Sequence, residues 1–84
     1  MEKNPYLNTA ILEVVDNQIT ANDPPETTQT LERLKKEGYS EKEAIELIAC
    51  VVSVEIFDIL KTKEEFNLER FVKALNKLPK MEWD

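Results

Sequence analysis

The stretch that most limits the fold is SEKEAIELIACVVSVEIFDILKT, residues 40–62. Ser40 with Glu43 three residues later has the pattern of a capping box, in which each side chain satisfies a backbone N–H at the start of a helix. Glu41 and Glu43 also suit the positive N-terminal end of the helix dipole. From Ala44 to Leu60 the apolar side chains point in nearly every direction around a helical axis. Their β-branched density would suit a strand, but the length of the run and the capping box decide for helix. A helix apolar around most of its circumference belongs in the middle of a bundle or in an interface between chains. The segment is therefore expected to be wrapped by companion helices. Its three acids, Glu46, Glu55 and Asp58, are expected at the wet edge, with Lys61 and Lys63 completing a solvated strip.

Punctuation elsewhere supplies the companions. Asn4 before Pro5 is a helix start, with a capping residue followed by proline in the first turn. Leu7, Ala10, Ile11, Val14, Val15 and Gln18 then follow helical spacing. Asp23 before Pro24 marks a second start, because the residue ahead of a proline avoids the helical region. Leu31 and Leu34 anchor that helix, Lys35 and Lys36 suit its negative end, and Gly38 can end it at positive φ. Asn67 caps a last helix with a stripe of Leu68, Phe71, Val72, Leu75 and Leu78, and Pro79 ends it. The expected fold is all-α: one domain over residues 1–84, a four-helix bundle-like arrangement with helices at about 5–20, 24–37, 41–62 and 68–78. Short connections imply antiparallel neighbours. An up-down-up-down order would set the first and third helices side by side and parallel, with their N-terminal turns at one end.

Composition narrows the partners. The 84 residues carry a formal charge of -6, and 42% are hydrophobic, enough for a packed core and too many for a disordered chain. This is an acidic protein, and no segment gathers the Lys and Arg that would track phosphates, so nucleic acid is not an expected partner. An anionic membrane is not one either. The longest uncharged apolar run, Leu47–Val54, is far shorter than a membrane span. The N-terminus lacks the charged-then-apolar layout of a signal peptide. Cys50 is the single cysteine and fits a reducing cytoplasm. A domain this small buries only about 60–65% of its unfolded surface, so self-association is a reasonable source of further stability.

Residues 4–52 hold NPYLNTAILEVVDNQ, DPPE, TLERL and, after Gly38, KEAIE. In that order they resemble a family of small bacterial helical proteins, a domain of unknown function. Its pattern reads N-P-x-L-H-x-x-x-H, a following acid and Gln, D-P-P-E, T-L-E-R-L and H-E-A-I-H. The last thirty residues are less similar. The resemblance implies an all-helical domain and lends no substrate. Its H-x-x-x-H pairs put two imidazoles one turn apart on a helix face. Two such pairs at one end of parallel helices could enclose a divalent metal. This chain departs at all four positions: Asn8 and Leu12 stand for the first pair, Lys42 and Glu46 for the second, and it has no histidine. Asp16 stands for the pattern's glutamate. No metal or other cofactor is therefore expected. Asn8, Asp16, Lys42 and Glu46 remain as residues of a polar pocket, in which Lys42 could pair with Asp16 or Glu46 in place of a metal.

The other chemistry-bearing residues have plainer readings. Glu55 and Asp58 share a helix face and could serve as acid and base, but a solvated strip explains them without a substrate pocket. Cys50 lacks the histidine base of a nucleophile and sits among aliphatics, as a small core residue does. Tyr6, Tyr39 and Trp83 fall near helix ends, where aromatics commonly pack. There is no G-x-S-x-G elbow, and one glycine cannot build a phosphate-cradling loop. No catalytic residue is assigned. The functional expectation is a non-catalytic interaction or structural module presenting a helix face, as a homodimer or toward another protein. The alternative is a small-molecule or metal-binding protein, or an enzyme, at the N-terminal ends of the first and third helices.

Overall fold

A computed structural model describes residues 9–80. Four helices occupy them: α1, Thr9–Ala21; α2, Pro25–Lys36; α3, Glu41–Thr62; and α4, Leu68–Lys77. The fold is all-α, as the punctuation predicts, with no strand among the described residues. The expected start of α1 at residue 5 lies outside them, as do Tyr6 and Trp83. α2 begins at Pro25, one residue later than expected, because Pro24 is extended (φ -76, ψ 150) and serves as the N-cap in place of Asp23.

Each helix end follows from local chemistry. α1 ends at Asn22, which takes the left-handed conformation at φ 53. Its N–H donates to the Ile19 carbonyl at 3.1 Å, and that of Asp23 donates to the Gln18 carbonyl at 3.0 Å. This Schellman pairing satisfies carbonyls that the helix leaves free. Gly38, at φ 109, does the same for α2. There Tyr39 N–H reaches the Leu34 carbonyl at 3.1 Å, and the Tyr39 ring packs on the core. The capping box of α3 forms in full: Glu43 N–H donates to Ser40 Oγ at 3.1 Å, and Ser40 N–H donates to Glu43 Oε1 at 2.9 Å. Asn67 Oδ1 accepts from Arg70 N–H at 3.0 Å and caps α4.

One side chain from α1, Val15, enters the centre of the core. Leu31 and Leu34 come from α2, and Ala44, Ile48, Ala49, Val51 and Val52 from α3. Phe71, Leu75 and Leu78 close it from the α4 side. α2 and α3 each touch all three other helices, whereas α1 and α4 do not touch each other. Two polar ties join neighbours across this core. The buried Thr27 donates from Oγ1 to Gln18 Oε1 at 3.0 Å, linking α2 to α1. Arg33 on α2 donates from Nη2 to the Leu75 carbonyl and from Nη1 to the Leu78 carbonyl, both at 3.0 Å, and so covers the negative end of α4.

The expectation that α3 is wrapped along its whole length needs correction. α3 has 22 residues, against 13 in α1, 12 in α2 and 10 in α4. At 1.5 Å per residue it is about 33 Å long, and its longest companion is about 20 Å. The shorter helices cover the first two-thirds, and the buried residues of α3 stop at Glu55. Beyond it Phe57 is 65% and Leu60 71% exposed. Leu68, expected in the buried stripe of α4, is also exposed, because it occupies the first turn, ahead of the core-facing Phe71 and Leu75.

Candidate functional site

The structure places three of the four polar residues singled out from the sequence. Asn8 lies outside the described residues. Asp16 and Lys42 are exposed and Glu46 is half-buried. Among the described residues, no ion pair joins Lys42 to Asp16 or to Glu46. No group of three metal-ligating side chains occurs among them either. A shallow groove of about 530 Å³ runs instead along the outer side of α2, between Asn22 and Lys36. It contains none of the four residues. Its guanidinium, on Arg33, is already engaged by Glu37 at 2.8 Å and by the end of α4.

Glu55 departs furthest from expectation. It is 5% exposed, so it belongs to no solvated strip with Asp58. The burial is offset by Arg70 from the first turn of α4. Nη2 donates to Oε1 at 2.6 Å, and Nε lies 3.1 Å from Oε1 and 3.2 Å from Oε2. A fork of donors on a carboxylate is the strongest form of charged hydrogen bond between side chains. The hydrogen bond with Glu55 pushes the Arg70 guanidinium pKa above its ordinary value, against the opposing effect of burial. Glu64 adds a looser contact with Nη1 at 4.0 Å. Both partners are consumed by each other, and the arrangement fixes α4 against α3. It leaves no free acid or base for catalysis.

What the fold leaves exposed is the later part of the outer face of α3. Ala44, Ile48, Val51 and Glu55 lie on one side and face the core. Successive steps of about 100° put Glu46, Cys50, Ser53, Phe57 and Leu60 on the other side. Glu46, Cys50 and Ser53 are half-buried, and Phe57 and Leu60 are open to solvent. Cys50 is thus not the core residue its aliphatic neighbours suggested. Its thiol pKa is raised by burial and then by the negative charge of Glu46, one turn before it on the same face. Apolar exposure continues past the helix. Lys63 ends α3 in the left-handed conformation at φ 60, and Phe66, 49% exposed, stacks at a tilt on Phe71 with ring centroids 5.5 Å apart. Leu68 is 44% exposed. The sequence carries a sign of this surface in the apolar residues that surround α3, but the pattern does not say which of them the shorter helices fail to reach.

No protein family, curated protein or solved structure matches the chain. Among the described residues, no helix is long and apolar enough to cross a membrane.

Proposed function

We propose that the chain is a non-catalytic interaction module of the cytoplasm that presents the outer face of α3, and that its partner is a second copy of itself. The observation that carries this reading is the exposure of four large apolar side chains, Phe57, Leu60, Phe66 and Leu68, from the last turns of α3 to the first turn of α4. Single exposed apolar residues are ordinary, but a concentration of them on one part of a small surface marks an interaction site. The polar chemistry points the same way. The best-formed carboxylate–guanidinium pair is spent on holding two helices together.

Magnitudes indicate how tight such a pair would be. Burying a Phe or Leu completely contributes about 1.5–3 kcal/mol. Two copies that each cover the exposed fractions of these four residues gain roughly 7–14 kcal/mol by the same measure. Association costs about 4–15 kcal/mol in lost freedom. The two ranges overlap, and the difference reaches at most about 10 kcal/mol; a net gain of about 5.5–8 kcal/mol within that span is a weak dimer with Kd on the order of 1–100 µM. Light scattering across that concentration range tests the reading: the mass should rise from one chain toward two. A mass of one chain throughout would remove the self-association.

A further inference from the structure

The outer face of α3 is charged at both ends. Lys42 and Glu46 stand near its start and Lys61 at its end, with Cys50, Ser53 and Phe57 between them. Neither Glu46 nor Lys61 has an ion-pair partner within the described chain. On a helix the two lie about 22 Å apart along the axis and on the same side. Glu46 and Lys61 meet as opposite charges when two copies are turned end for end, and each meets its own like when the copies run in the same direction. The helix dipoles add the same preference.

We infer that two copies pair antiparallel along this face, about a two-fold axis close to Ser53, so that Glu46 of each chain meets Lys61 of the other. This pairing rests on the self-association proposed above and specifies its register. A two-fold contact must be the same surface on both sides, so residue i of one chain meets residue j of the other and the reverse. With the axis between Ser53 and Val54, the exposed Phe57 ring comes over the half-buried Cys50 of the second copy, whose side chain is small. The uncovered end of α3 on each chain is thereby seated on the better-packed beginning of α3 on the other. The charged ends set the register, and the rings supply the contact.

Cross-linking separates the register from the association itself. In a Cys50→Ser background, single cysteines are placed at 53 (S53C), at 57 (F57C) and at 60 (L60C), and each protein is oxidised at a concentration where light scattering gives the mass of two chains. The expected result is rapid disulfide-linked dimer for S53C and at least tenfold slower linkage for F57C and L60C. Fast linkage at 57 or 60 with slow linkage at 53 would overturn this register while leaving a dimer through the same patch. A mass of one chain would overturn both. A charge exchange gives an independent readout. Glu46→Lys and Lys61→Glu alone should each weaken association about tenfold. The double exchange should restore it to within about threefold, and failure of that rescue would contradict the Glu46–Lys61 pairing.

Discussion

Arg70 on α4 grips both carboxylate oxygens of Glu55 on α3, with its shortest contact 2.6 Å from Nη2 to Oε1. The acid is buried and the guanidinium is half-exposed. Removing one partner therefore differs from removing both. Arg70→Met strands a carboxylate in the core and should lower the melting temperature by about 10 °C or more. Glu55→Leu combined with Arg70→Met should recover most of that loss, because apolar packing replaces a charged pair at little cost. Thermal denaturation of the two variants checks this. A double variant no better than the single one would mean that the pair does more than satisfy itself.

Lys63 adopts a left-handed backbone at φ 60 with its N–H donating to the Ile59 carbonyl at 2.7 Å. An L-residue with a side chain is strained there by roughly 1–2 kcal/mol. Glycine removes the strain and gives some of it back as unfolded-state entropy. Lys63→Gly should therefore stabilise the domain by about 0.5–1 kcal/mol, read from denaturant unfolding. An unchanged or lower midpoint would contradict this account of the end of α3.

Arg33 ties α2 to the last turn of α4 through the carbonyls of Leu75 and Leu78. Lysine keeps the charge but cannot present two parallel donors. Arg33→Lys should cost about 1 kcal/mol and Arg33→Ala about 2 kcal/mol, with faster hydrogen exchange confined to the end of α4. Equal loss of protection throughout the domain would argue against a local tie.

The Cys50 thiol is held above its ordinary pKa by burial first and by Glu46 second. Only the thiolate reacts with iodoacetamide, so alkylation near neutral pH should be slow and should rise at a higher pH than for an exposed cysteine. Glu46→Gln removes a neighbouring negative charge and should move that rise toward lower pH. The sign for stability follows from the same shift. Ionisation is harder in the folded chain, so stability is intact below the unfolded thiol's pKa and declines as pH rises from there toward the folded value. A rate profile unchanged by Glu46→Gln would contradict the charge effect.

The parts legible from sequence were those decided within a few residues. Ser40 and Glu43 made both bonds of the capping box, Asn67 capped its helix, and Gly38 ended α2, because each depends only on its own turn of chain. Glu55 was misplaced at a wet edge because its partner lies fifteen residues on, across a connection, and the spacing within α3 carries no trace of it. Phe57 and Leu60 belong to the same apolar pattern as Ile48 and Val52. What separates them is the length of the neighbouring helices, a property of the whole fold. The four polar positions were read from a pattern of residues; Asn8 lies outside the described residues, and no ion pair joins Lys42 to Asp16 or to Glu46 among them.

The central claim is that the end of the outer face of α3, at Phe57 and Leu60, is exposed in one chain and covered in two. Sedimentation equilibrium of the intact chain beside Phe57→Glu tests it most directly, with a thermal melt of each at a concentration low enough to favour single chains. The account predicts a dimer for the intact chain, a single species of one chain for Phe57→Glu, and melts within about 3 °C of each other, as befits a residue exposed before association. A Phe57→Glu protein that dimerises as before, or one that melts far lower as a single chain, would contradict it.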